Sequence, residues 1–203
     1  MQENAEITQD LKKKQILEAA KQVFGKYGFS KTTLDDVATA VGMKKASLYY
    51  YYSSKEDLFR DVVKSETDEL IRELETNIFK LNSISEQLKS FVKIRIDYLN
   101  RLINLHNLAA SIIIEVRPIC ENLYREFSEK QVEIVSRILS DGIKNNYIRN
   151  LDVNRTAKLF ILAVESITMR DIWKSKFTAD IDYKTIEDDS LFLTELIING
   201  LKK

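Results

Sequence analysis

Lys44, Lys45, Ala46 and Ser47 form a run that starts just after a glycine turn. Two ammonium groups and a hydroxyl can donate to base edges and phosphate oxygens, and the alanine leaves room for close approach. Thr33 and Lys55 stand at the starts of the helical segments on either side, where free backbone N–H groups and the positive dipole end suit a phosphate. Charge distribution agrees. The chain is neutral overall, yet residues 11 to 55 hold nine lysines against Glu18, Asp35 and Asp36, a net of +6. Residues 1 to 10 and 56 to 203 are each net −3. A basic head on a slightly acidic body turns the head toward a polyanion.

Other chemistries lack their groups. The single histidine, His106, cannot anchor a multi-histidine metal site, and the single cysteine, Cys120, cannot close an internal disulfide. Cys120 reads as a buried thiol. No glycine-rich phosphate loop is present, and the crowded acids Glu187-Asp188-Asp189 read as charges at a helix start, so an all-helical enzyme is a remote alternative. No catalytic residue, cofactor or metal is expected. Glu3, Glu6 and Asp10 stand where an export signal needs a cationic start, and apolar runs such as 108–114 fall short of the roughly 18 residues a membrane span needs. The expectation is a soluble, cytoplasmic chain with no membrane partner.

The elements that position the basic run are helical. With 44% hydrophobic and 31% charged residues but one proline and five glycines among 203, the composition is that of an all-α globular chain. Ile16, Ala20, Val23, Phe24 and Tyr27 predict a helix over 9–27, stopped by Gly28. Thr33 with Asp36 opens a short one over 33–40, Gly42 supplies the turn, and a third spans 44–51. Ser54 with Asp57 opens a long helix over 55–80, and Ser83 with Glu86 another. Helices are further expected over 106–115, from Pro118 to Lys144, from Asp152 or Asn154 to 176, and from the Asp188-Asp189-Ser190 cluster to 199, making about nine. The second and third, joined by a Gly42-centred turn, have the length and spacing of a helix-turn-helix. The domains are expected at 1–54, DNA-binding, and 55–203, a larger helical regulatory domain.

The last two long helices carry more apolar surface than one face can bury. Ala157, Phe160, Ile161, Val164 and Ile167 form one stripe and Leu159, Leu162, Ala163, Met169 and Trp173 a second, while 191–201 is apolar nearly all round. Pairing with their copies would give a four-helix, two-fold homodimer interface. In the body, Phe91, Tyr98, Leu102, Tyr124, Phe127 and Trp173 are candidate linings of an apolar ligand cavity, with Arg95 or His106 to orient a polar group.

The run Ile16-Leu17-Glu18-Ala19-Ala20, then Phe24, Tyr27-Gly28-Phe29, Thr32-Thr33, Val37-Ala38, Gly42-Met43, Leu48-Tyr49 and Ser54-Lys55-Glu56-Asp57-Leu58 resembles the N-terminal domain of the tetracycline-repressor (TetR) family. The resemblance covers roughly residues 10 to 60; the rest matches in helical layout alone. It implies a homodimeric, ligand-responsive transcriptional regulator, usually a repressor, released from an operator in double-stranded DNA by a small-molecule inducer. By position, it implies that Lys44, Lys45, Ala46 and Ser47 face DNA, with Tyr49 and Tyr50 placed for phosphate or base contact and Thr33 and Lys55 clamping phosphates. Lys44, Ala46 and Tyr52 depart from the common serine, glycine and phenylalanine, which bears on the operator sequence. A two-fold dimer predicts an approximately palindromic operator with half-sites about one helical turn apart or slightly more. The alternative within the DNA-binding class is a body that binds a protein partner.

Overall fold

The computed structural model describes residues 2–105, 118–175 and 181–203, with side chains for 9–101, 118–170 and 181–203. Among these residues the chain forms eight helices: α1 (Gln2–Tyr27), α2 (Leu34–Val41), α3 (Lys45–Tyr51), α4 (Lys55–Ile78), α5 (Ile84–Leu105), α6 (Glu121–Lys144), α7 (Val153–Ser175) and α8 (Tyr183–Leu201). Extended pairing within them is a single antiparallel bridge between Ile148 and Lys202. The helix expected over 106–115 lies outside the described residues.

Two compact units emerge, one holding 2–66 with 101–105 and 118–123, the other 67–100 with 124–175 and 181–203. In the first, α1 packs on α2 and α2 on α3. Its core gathers Ile16, Ala20, Phe24, Phe29, Val37, Ala38, Leu48, Leu58 and Phe59. Phe59 meets Phe24 and Phe29 edge-on, each with ring centroids 5.0 Å away, the offset that aromatic quadrupoles favour. Cys120 is buried in the same cluster, and burial pushes its thiol pKa up, so it is an inert packing group there. In the second unit, Leu88, Phe91, Val92, Ile134, Val135, Ile138, Phe160, Ile161 and Val164 are all but closed to solvent, and α7 packs against α8.

Three boundaries differ from the sequence expectation: α6 starts at Glu121 and not at Pro118, because 118–120 form a turn ahead of it. The last helix starts at Tyr183, not at the acidic cluster, because Asp182 caps it: its carboxylate accepts from Thr185 N at 3.0 Å and from the Thr185 hydroxyl at 2.7 Å. The first helix reaches back to Gln2, through a stretch whose Glu3 and Glu6 suit a helix N-terminus without any apolar stripe to announce it.

Candidate nucleic-acid interface

The local sequence builds the site from its caps. Thr33 sits in extended backbone as N-cap of α2, its hydroxyl accepting from Asp36 N at 3.2 Å and donating to Asp36 Oδ2 at 2.6 Å, while Thr33 N donates to the same carboxylate oxygen at 2.8 Å. These bonds hold the Asp36 carboxyl below its ordinary pKa. Gly42 ends α2 in the left-handed region, φ 70°, with its N–H turned back to Ala38 and Thr39 carbonyls. A Cβ there would meet nothing within 4 Å, so it is backbone conformation, not space, that calls for glycine. The chain then re-enters a helix with Lys44 as N-cap.

On α3 only Leu48 is fully buried; Lys44, Lys45, Ala46, Ser47, Tyr49 and Tyr50 are all exposed. Tyr50 is 78% exposed and Tyr49 46%, unusual for large rings unless something else is to cover them. The predicted DNA-facing residues of the third helix are therefore brought together on one outward surface. Tyr52 is core instead, 4% exposed, with its hydroxyl donating to Asp61 Oδ2 at 3.1 Å. Burial, then the Asp61 charge, pushes its phenol pKa well up, so it stays a donor. Lys13 pairs with the same Asp61 at 2.7 Å, tying α1 to α4 beside the end of α3.

Thr33 and Lys55 are held in place by the protein itself. Lys55 Nζ donates to the Phe29 carbonyl at 2.9 Å and lies 4.4 Å from the Phe29 ring centroid, so its ammonium fastens the α1–α2 loop to the start of α4. Sequence reasoning missed the partner of Lys45. Its Nζ pairs with Asp35 Oδ2 at 2.7 Å, which raises the ammonium pKa, and it sits 5.7 Å from the Tyr49 ring centroid. The available signal was charge: apart from Glu18, Asp35 and Asp36 are the acids of the basic segment.

Of the candidate ligand residues, Phe91, Arg95 and Tyr98 follow one another along α5. Phe91 and Tyr98 are buried, and Arg95 lies over the Phe91 ring, 5.5 Å to its centroid. Arg95 Nη2 donates to Glu165 Oε1 at 3.3 Å, and the Tyr124 hydroxyl on α6 donates to Glu165 Oε2 at 2.9 Å. Burial lowers the Arg95 pKa and the Glu165 charge opposes that shift. Arg95 Nη1 is buried without a hydrogen-bond partner. Phe127 is half-buried on α6. Tyr124 is 42% exposed, so this group is a polar cluster open on one side. The side chains of Leu102 and Trp173, and all of His106, lie outside the described residues.

Residues 16–62 match the family model described as bacterial regulatory proteins, tetR family. Over these residues the chain is similar to the helix-turn-helix domain of the TetR family. The biofilm operon icaADBC HTH-type negative transcriptional regulator IcaR of Staphylococcus aureus is 25% identical over 189 residues, covering 89% of this chain and 95% of IcaR. A transcriptional regulator from Cytophaga hutchinsonii has a solved structure similar to this chain at a TM-score of 0.77 and 27% identity, covering 93% of this chain and 97% of that one. The regulator FadR from Bacillus subtilis, solved in complex with stearoyl-CoA, shares the fold at a TM-score of 0.70 and 21% identity, over 89% and 96% of the two chains. The matched family model and these curated relatives are of helix-turn-helix transcriptional regulators. Among the described residues no helix is long and apolar enough to cross a membrane.

Proposed function

We propose that this chain is a cytoplasmic repressor that binds a palindromic operator as a homodimer and leaves it when a small-molecule inducer occupies the body. The observation that carries the reading is the outward face of α3, where Lys44, Lys45, Ser47, Tyr49 and Tyr50 stand exposed around a single buried anchor, Leu48. Inserted in a major groove, the ammonium and hydroxyl groups read base edges, Ala46 allows close approach, and the tyrosines reach bases or the flanking phosphates. Lys55 takes a backbone phosphate with the ammonium donors left beyond the Phe29 carbonyl, whereas Thr33, whose N–H and hydroxyl both donate to Asp36, reaches a phosphate only if that cap opens. In functional terms residues 1–54 are the DNA-binding part and 55–203 the regulatory part.

Dimerisation falls to α7 and α8. Leu159 and Leu162 on the first, Phe192 and Leu196 on the second, are each more than half exposed in the single chain, which is a cost that a second copy removes. The inducer site is assigned to the surroundings of Phe91, Arg95, Tyr98, Tyr124 and Phe127. IcaR being a negative regulator supports repression, and the acyl-CoA complex of FadR supports a body that takes a ligand. An inducer that favours one body conformation shifts the population of DNA-competent dimers; equal affinity for both would shift nothing.

The test is selection of genomic DNA fragments by the purified protein, with Lys45→Ala and Tyr49→Ala variants in parallel. A palindromic site that the wild type enriches and both variants lose is the expected result. Enrichment of the same site by all three would remove α3 from the interface.

A further inference from the structure

The two acids in the first turn of α2 do different work. Asp36 closes the capping box on Thr33. Asp35 caps nothing and reaches instead to the next helix, where it holds Lys45 Nζ at 2.7 Å. The two side chains are 52% and 61% exposed, so the pair lies open to solvent, with Lys45 on the same surface as Ser47, Tyr49 and Tyr50. An ion pair this exposed shifts a folding equilibrium by about fivefold at most. The α2–α3 crossing does not need it, because Leu34, Val37, Ala38 and Leu48 are buried in the core that joins these helices. Stability therefore leaves the pair unexplained, and its weakness means that a better partner opens it readily.

We infer that Asp35 is a specificity-determining residue of the DNA face, competing with phosphate for Lys45 and yielding it only to a cognate base pair. The inference rests on the proposed role of α3 in DNA binding. Two kinds of acceptor on DNA can take the ammonium. A phosphate is present on every sequence, but to reach Lys45 it must come close to the Asp35 carboxylate, and like charges at that range repel. A base edge is different. A G·C pair presents the guanine O6 and N7 acceptors beside the cytosine N4 amino donor in the major groove. Lys45 donates to the first while Asp35 accepts from the second, so both charges keep a partner. In an A·T pair the adenine N6 donor lies between the N7 and O4 acceptors instead of beside two adjacent ones, so a carboxylate placed for the cytosine amino group meets an acceptor or a phosphate, and the lysine stays with its own acid. The carboxylate thus lowers sequence-independent affinity more than cognate affinity, which is how a regulator gains discrimination among the many competing sites of a genome.

The experiment measures the affinity of the full-length protein for two duplexes of equal length, the palindromic site recovered by fragment selection and a mixed-sequence control. Wild type, Asp35→Asn, Lys45→Met and the double variant are compared over a range of salt. Asp35→Asn should bind the control about fivefold tighter, with the salt dependence steeper by about one phosphate contact, and its site-to-control ratio should fall at least about threefold. In the Lys45→Met background the same substitution should gain less than about twofold, since no cation is released. Asp35→Ser, which keeps a small polar residue in the first turn of α2, should reproduce the asparagine result, and thermal unfolding of each variant verifies that the fold is intact. An equal gain with and without Lys45 would show that Asp35 acts as diffuse charge and would overturn the inference. So would a parallel loss on both duplexes, the mark of a strut that merely positions α3. If the wild type itself enriches no site, the DNA-binding role of α3 fails first; if it does and Asp35→Asn matches it on both duplexes, this inference alone fails.

Discussion

On α3 and its N-cap, apart from the small Ala46, the side chains left in water are two lysines, a serine and two tyrosines, which carry their own hydrogen-bonding groups. On α7 and α8 they include Leu159, Leu162, Phe192 and Leu196, which carry none. Equal exposure has opposite meanings in the two places. The first surface is content in water and loses little by waiting for a polyanion, whose binding is then salt-dependent and reversible. The second costs free energy for as long as it stays wet, roughly 25 cal/mol for each Å² of apolar surface, so the proposed second copy that covers it would belong to the ordinary state of the protein. On the proposed function, one region is built for an optional partner and the other for a permanent one.

The sharpest way to break that contrast is to make the second surface resemble the first. Leu162→Glu combined with Phe192→Glu places like charges where two copies would meet, and sedimentation should give a monomer. Because the paired heads act through effective concentration, operator affinity should fall by about a thousandfold although no DNA contact has changed. A double variant that still sediments as the wild type does would move the interface elsewhere.

The next effect belongs to the body alone. Glu165→Gln removes the carboxylate that Arg95 and Tyr124 share and leaves a largely buried guanidinium without its counter-charge. Stability to urea should drop by about 3 kcal/mol, as expected when one partner of a buried pair is removed. Lys45→Ala and Tyr49→Ala reverse the pattern: thermal unfolding should be unmoved, because both side chains are exposed, while operator affinity falls about tenfold for each. If the body variant lost DNA binding at full folding, or the head variants lost stability, the division of labour between the two surfaces would be wrong.

How far each region could be read from sequence follows from how local its signals are. In the head, Thr33 with Asp36, Gly42, and Ser54 with Asp57 set helix starts and stops within three or four residues, and the structure forms those caps with the bonds their spacing implies. The links that hold the face in place were not legible: Lys55 to the Phe29 carbonyl spans 26 residues and Lys45 to Asp35 spans ten, and a lysine reads the same whether its partner is a phosphate, a carbonyl or a carboxylate. In the body the start of α8 was hidden by its own inner stripe. Ile186, Ser190, Thr194 and Ile198 are the buried residues, and the two small polar ones interrupt the apolar period. The Thr194 hydroxyl is satisfied inside, donating to the Ser190 carbonyl at 2.7 Å. An acid cluster farther on therefore looked like the helix start. The apolar excess on α7 and α8 was legible because the positions of apolar residues along each helix exceed what one face can bury, whatever covers the rest.

The smallest effect is a pH dependence, and it compares the same device in both regions. Asp36 in the head and Asp182 in the body each cap a helix through a threonine, and each carboxyl is held below its ordinary pKa by those bonds. A folded-state pKa lower than the unfolded one means that the unfolded chain binds the extra proton. The caps therefore contribute fully above about pH 4 to 5, where both states are ionised, and the contribution is lost as pH falls through the depressed folded-state values. Asp36→Asn should flatten the acid limb of the stability curve for the head, read by far-UV circular dichroism and tryptophan-independent probes on α1 to α3, and leave the acid limb for the body as it was. Asp182→Asn should do the converse. Identical changes from both substitutions would mean that the two units unfold as one, and the contrast between their surfaces would then be one of partners only, not of independent folding.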